Sequence, residues 1–265
     1  MKATGSSSTL PVLRLRGLGC QFGGIDAVSD VDLDVASGER RAILGPNGAG
    51  KTTLFNLISG EVFATAGDVQ VFGQDVTFLP TRKRIRLGLA RTYQTSRLFS
   101  LLSVEENLYL AVLGVSGGHF RPLLLRRDRE FRARAHAVAE RVGLERRLDA
   151  TVVSLSHGEQ RQLEVGVALA GRPRILMLDE PAAGLSHSER RSLTELLLSL
   201  DPAVTLLVVE HDMDVALRVA QRVTVMHEGR IVAEGTPTEI RANLRVQDLY
   251  LGKAYAPEGV TYAPG

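Results

Sequence analysis

The stretch Gly45-Pro46-Asn47-Gly48-Ala49-Gly50-Lys51-Thr52 constrains this chain more than any other. Two glycines with four residues between them, followed by Lys and Thr, form a phosphate-binding pattern. Glycines let the backbone curl so that successive N–H groups point inward at phosphate oxygens. A Lys ammonium in that frame reaches the terminal phosphates as a point charge, and a Thr hydroxyl can ligate Mg²⁺. The flanks supply the context. Arg40-Arg41-Ala42-Ile43-Leu44 reads as the end of a buried strand, and Leu54, Leu57 and Ile58 recur at helical spacing. A strand, a glycine loop and a helix start place an anion-binding helix N-terminus at the loop. An ordinary glycine-rich turn needs neither flank. Gly45 through Thr52, with Thr53, are therefore the candidate nucleotide-binding residues.

Composition matters in three places. The net charge of +2 in 265 residues is too small to argue for nucleic acid as a partner. The single cysteine, Cys20, excludes an intramolecular disulfide and a cysteine-based metal cluster. Only Lys2, Lys51, Lys83 and Lys253 are lysines, so Lys51 is not a residue this chain uses casually. The Ser/Thr-rich start has no apolar core of the kind a secretory signal carries. No run approaches the eighteen or so apolar residues of a membrane helix, so any work at a membrane is expected to go through a partner.

Along the chain, residues 1–10 read as a flexible tail. Leu13, Leu15 and Leu18 open a strand, and Val28, Val31, Leu33 and Val35 alternate with polar residues as in a half-buried antiparallel strand. Val69 to Phe72 reads as a short edge strand, Arg82 to Leu87 as a basic helix, and Ala90 to Gln94 as a strand. From Leu98 to Ala170 helical spacing dominates. Ser103 is a candidate N-cap, Gly114 to Arg121 a loop, and Arg126 to Val142 an amphipathic helix whose arginines form a solvated face. Two all-apolar strands follow, ending at Asp179-Glu180 and at Glu210-His211. Helices alternating with such strands indicate an α/β fold with a mainly parallel sheet. Residues 253–265, rich in Pro and Gly, read as a second flexible tail.

The phosphate loop, Gln94, Asp179-Glu180 and His211 each follow a strand. In an open parallel sheet the C-terminal strand ends line the ligand crevice, so these groups are expected to converge.

With these motifs in this order, the chain resembles the ATPase subunit of an ABC transporter over about residues 10–252. Gly45–Thr52 matches the Walker A loop, and Leu178-Asp179-Glu180 closes the Walker B strand. Leu155-Ser156-His157-Gly158-Glu159 is similar to the signature usually written LSGGQ. Gln94 and His211 stand where the Q-loop glutamine and the switch histidine belong, and Phe22 resembles the aromatic that stacks on adenine. The resemblance implies a P-loop NTPase core at about 11–97 and 171–252, with an antiparallel β subdomain. It also implies an inserted α-helical subdomain at about 98–170. The cofactors it implies are ATP and Mg²⁺, with Thr52, Gln94 and Asp179 at the metal and Asp179 acting through water. In catalysis Lys51 would hold phosphate, Glu180 would act as general base and His211 would contact the γ-phosphate. Ser156 and Gly158 would serve the site of a second ATPase subunit in trans, in a homodimer or heterodimer.

Two departures stand out: His157 and Glu159 in the signature, and Ala182-Ala183-Gly184-Leu185-Ser186 without the usual aspartate of the D-loop. Glu180-Pro181-Ala182-Ala183-Gly184-Leu185, Glu210-His211-Asp212-Met213, Ala90-Arg91-Thr92-Tyr93-Gln94 and Tyr250-Leu251-Gly252 are similar to the ATPases of branched-chain amino acid importers. Urea-importer and lipopolysaccharide-export ATPases are near relatives of these. Such a subunit would lie on the inner face of the cell membrane, against two permease subunits. It would meet a periplasmic or extracellular solute-binding protein only indirectly. A non-transport ABC ATPase and an unrelated phosphate-loop kinase or GTPase are the competing readings. The first usually carries two cassettes or long coiled coils, and the second lacks the signature and His211.

Overall fold

The computed structural model describes residues 10–93, 97–116 and 121–251. Gln94 lies outside these residues. The first sheet is antiparallel and built from β1 (Leu13–Phe22), β2 (Ile25–Val35), β4 (Ala66–Val71) and β5 (Gln74–Asp75), in the order β2-β1-β4-β5. The expected alternation holds in β2, where Val28, Val31, Leu33 and Val35 are buried. The expected edge strand, in contrast, is interior: β4 pairs with β1 on one side and with the two-residue β5 on the other. So short a strand leaves no hydrophobic period to read.

The second sheet holds β3 (Arg40–Leu44), β6 (Leu89–Arg91), β7 (Ile175–Asp179), β8 (Thr205–Val209), β9 (Arg222–His227) and β10 (Arg230–Gly235). Its order is β10-β9-β3-β8-β7-β6, parallel except for the β9-β10 hairpin. Its central strands β7 and β8 are covered on both faces and buried along their whole length, which is why they read as near-continuous apolar runs. Ile175, Met177, Leu207 and Val209 face one core, shared with α1 (Lys51–Ser59) and the antiparallel sheet. Leu176, Leu178, Leu206 and Val208 face the other, shared with α5 (His157–Leu169) and α6 (His187–Ser199).

Between β6 and β7 the chain makes α3 (Val104–Val115), α4 (Arg121–Arg141) and α5. Ser103 caps α3 in a full capping box with Glu106. Helix α3 runs past Gly114, and α4 begins five residues before Arg126. On α4, Arg129 and Arg132 are exposed, and Arg132 donates to Asp128 and to Glu105 of α3, both at 2.9 Å. Helix α7 (Met213–Val219) follows β8, and after β10 come α8 (Pro237–Ala242) and α9 (Leu244–Leu251), the last two not expected. No helix of the described residues is long and apolar enough to cross a membrane.

One buried arginine ties the loop after β5 to the end of α1. Arg84, on α2 (Thr81–Arg86), is wholly buried and donates to four carbonyls. Two of these, Leu57 at 2.6 Å and Ile58 at 2.8 Å, belong to the last turn of α1. They are among the acceptors a helix C-terminus leaves without an internal partner.

Candidate functional site

Strands β3, β8, β7 and β6 are consecutive and parallel, so the four segments that leave them emerge at one end of the sheet. Register makes the alignment tight. Ile43 pairs with Val209, and Val209 with Asp179. The chain after β3 turns into the phosphate loop, and α1 starts at Lys51. Gly50 has φ 95°, and a Cβ there would meet the Ala27 carbonyl oxygen at 2.4 Å. A Cβ on Gly45 would lie 2.4 Å from the Met226 carbonyl oxygen. The loop is thus pressed against the β2 and β9 backbones, which only glycine permits.

Lys51 is buried, and its ammonium donates to the carbonyls of Gly45 (2.7 Å) and Pro46 (3.0 Å). Burial lowers its pKa, and the charges of Glu180 and Asp179 push the other way. Thr52 is exposed and Thr53 half-buried in the first turn of α1. Pro46 is half-buried, Asn47 and Gly48 are exposed, and Ala49 is buried. That first turn holds no acidic side chain, so its N–H groups and positive dipole end are left for an anion.

Asp179 closes β7 with 1% exposure. Its Oδ2 accepts a hydrogen bond from Arg91 at 2.8 Å, whereas its Oδ1 is buried with no hydrogen-bond partner. Burial raises the Asp179 pKa and Arg91 opposes the rise. Glu180 follows at φ 49°, a left-handed conformation costly for a side-chain-bearing residue. Its N–H donates to the Val209 carbonyl at 2.9 Å, which pins the strained turn to β8. Its Oε2 lies 4.0 Å from Nδ1 of His211, whose side chain is exposed. Lys51, Asp179, Glu180 and His211 therefore come together as the topology required.

An unpartnered, buried carboxylate oxygen is expensive to leave that way. Together with the Thr52 hydroxyl at the head of α1, Asp179 fits a magnesium ion, which takes few protein oxygens and completes its shell with water and phosphate oxygens. Among the described residues no group of three His, Cys, Asp or Glu could hold a metal.

Phe22 ends β1 with its ring half exposed, beside the Gly23-Gly24 turn. Ser156 and Gly158 stand at the start of α5. Ser156 forms a capping box with Glu159, and the Gly158 N–H donates to Glu189 of α6 at 2.9 Å. The structure gives Glu159 and Ser186 capping roles, and nothing in it explains His157. Glu159 closes the cap and is held ionised by Arg147, at 2.8 Å. Ser186 caps α6 in a box with Glu189, a task suited to an aspartate as well.

Two residues outside the expected set belong to this end of the sheet. Arg91 is one. The other is Glu210, fully buried after β8, whose Oε1 accepts the Ala182 N–H at 2.9 Å. Burial raises its pKa to about 7. The signal for Glu210 was in the sequence, as a carboxylate between an all-apolar strand and His211.

A family model described as ABC transporter matches residues 28–183. A second, described as branched-chain amino acid ATP-binding cassette transporter, matches residues 230–256. The high-affinity branched-chain amino acid transport ATP-binding protein BraF of Pseudomonas aeruginosa is 38% identical over 252 residues, covering 92% of this chain and 99% of that protein. LivG of Escherichia coli K12, which carries the same description, gives the same figures. Among solved structures, the ADP conformation of MJ1267, an ATP-binding cassette of an ABC transporter, superimposes with a TM-score of 0.81 at 28% identity. That match covers 92% of this chain and all of the other. Fold, site and relatives agree: the chain belongs to the ABC transporter ATP-binding family, among the branched-chain amino acid transport ATP-binding proteins.

Proposed function

We propose that this chain binds ATP with Mg²⁺, hydrolyses it, and thereby powers uptake of branched-chain or related amino acids through separate membrane permease subunits. The observation that carries the reading is the convergence of Lys51, Asp179, Glu180 and His211 at the C-terminal ends of adjacent parallel strands. The names of the relatives carry the solute class.

The chemistry follows from charge and position. Lys51 exchanges its two loop carbonyls for phosphate oxygens, while the loop and first-turn N–H groups take the rest of the anion. Mg²⁺, when bound, neutralises charge on the phosphates; Thr52 directly and Asp179 through water are the residues to hold it, with Gln94 as a third. Glu180 polarises the attacking water, and its strained turn aims the carboxylate into the crevice. His211 contacts the γ-phosphate. Phosphoryl transfer asks a protein mainly for positioning and electrostatics. Phe22 offers a free face to adenine. Ser156 and Gly158 receive the ATP of a second ATPase subunit, in a dimer like that reported for the cassette MJ0796 bound to ADP and phosphate.

The test is capture of the tagged chain from native membranes in mild detergent, alongside ATP hydrolysis by the captured complex. Two polytopic permeases and a second ATPase in an ATP-hydrolysing complex are expected. Recovery without membrane proteins would move the chain to a non-transport role.

A further inference from the structure

Arg91 is the last residue of β6, three residues before Gln94. Its side chain is 5% exposed and its guanidinium joins three elements. One end nitrogen donates to Asp179 Oδ2 at 2.8 Å. The other donates to Asn56 Oδ1 at 2.6 Å and Ser59 Oγ at 3.0 Å, both on α1. The plane lies near the rings of Phe55 and Tyr93, 5.6 and 5.3 Å from their centroids, with Glu61 at 3.7 Å.

Stability alone is a poor reason for such a group. Burying an ion pair strips both ions of water at a large cost, and apolar replacements are often as stable. The arrangement is also incomplete, since Nε of Arg91 and Oδ1 of Asp179 are both buried without partners. What the pair does achieve is orientation. With Oδ2 held by Arg91, the carboxylate cannot swing, and Oδ1 is the oxygen left for the crevice. The same guanidinium grips the helix whose N-terminus carries Lys51 and Thr52. Partners of this kind orient metal-binding groups from behind.

We propose that Arg91 is a positioning residue for the metal-nucleotide site, fixing the Asp179 carboxylate relative to α1 so that Oδ1 meets the hydration shell of the metal. This rests on the ATP·Mg²⁺ reading given above.

The experiment uses the full chain and reads binding rather than turnover. Mn²⁺ stands in for Mg²⁺ and is titrated by electron paramagnetic resonance in the presence of ADP; ADP affinity in EDTA is measured separately. Arg91→Met is expected to weaken Mn²⁺ binding by about 10–100-fold, the usual cost of losing an outer partner, while metal-free ADP affinity stays within about twofold. Arg91→Lys, which keeps the charge, recovers part of the loss. Wild-type Mn²⁺ binding in folded Arg91→Met overturns the proposal, as does an equal loss of metal-free ADP binding. Should Arg91→Met not fold, Asn56→Ala carries the test: it removes the 2.6 Å bond on α1 and leaves the charge. Weaker Mn²⁺ binding in it supports the role, and unchanged binding overturns it. Absence of Mn²⁺-dependent binding in the wild type would instead remove the metal-nucleotide reading itself.

Discussion

Glu210 accepts the backbone N–H of Ala182 at 2.9 Å, and this one bond ties the residue before His211 to the loop that follows Glu180. The carboxyl is fully buried and its second oxygen has no partner. Burial raises its pKa from 4.5 to about 7, against the opposing pull of the Ala182 N–H and the His211 charge.

The sign of the consequence is fixed by linkage. The folded protein holds this proton more tightly than the unfolded chain, so its stabilising share is complete below pH 4.5 and is lost as pH rises through about 7. The gap corresponds to about 3 kcal/mol. Glu210→Gln keeps an acceptor for Ala182 without the ionisation. Urea unfolding at pH 5 and pH 8 is expected to show the variant gaining on the wild type by up to about 3 kcal/mol at the higher pH. Parallel curves would mean that Glu210 does not titrate across this range.

Glu180→Gln is the sharpest chemical test of the site. The amide keeps the volume and the strained turn but cannot polarise water. ATP binding is expected to persist, and hydrolysis to slow by roughly 10²–10⁴-fold, the scale of a lost general base. Near-normal turnover, measured as phosphate release under saturating ATP, would take Glu180 out of that role.

The contrast between these residues shows what a sequence can carry. Lys51, Asp179, Glu180 and His211 were legible because each directly follows an apolar strand or sits inside a contiguous motif. Sheet order then did the rest by placing β3, β8, β7 and β6 side by side. Arg91 was not legible as a functional group, and Glu210 was marked only by its place between an apolar strand and His211, not by what it does. Their meaning lies in partners 88 and 28 residues away, and one more arginine in an arginine-rich chain carries no local mark. The helix α8 was legible and overlooked: Thr236-Pro237 with Glu239 is a capping box with proline at the first turn. The inward place of β4 was not, because its outer neighbour β5 is two residues long.

Arg84 is expected to matter for stability. Besides the two α1 carbonyls, it donates to Leu79 at 2.8 Å and Thr77 at 3.0 Å, and burial lowers its pKa to about 10. Arg84→Met fills the space but strands the carbonyls of Ile58, Thr77 and Leu79, while Leu57 keeps the Gly60 N–H at 3.3 Å. Each stranded group costs about 1–3 kcal/mol, so a loss of at least about 3 kcal/mol is expected in chemical denaturation. A variant within about 0.5 kcal/mol of wild type would show that water replaces the guanidinium, which its full burial argues against.

Glu189 holds the Gly158 N–H that a γ-phosphate from a second subunit would need. One of its carboxylate oxygens accepts that N–H, and the other takes the Ser186 hydroxyl at 2.7 Å and its N–H at 3.0 Å. Ser186 and Gly158 together lower the Glu189 pKa to about 2. The carboxylate is therefore ionised at any working pH and stands as a resident anion at the head of α5. Its stabilising share is present above pH 4.5 and drains as pH falls toward about 2. Two opposite effects follow for Glu189→Ala. The variant is less stable at pH 7, and the difference narrows by pH 3. Its Gly158 N–H is free, so in a Glu180→Gln background, which retains ATP, dimers should form at lower ATP concentration, by about fivefold or more if the contact must break on assembly. Light scattering across an ATP titration reads this directly. Equal or weaker dimerisation would show that the Glu189 contact supports the assembled state rather than competing with it.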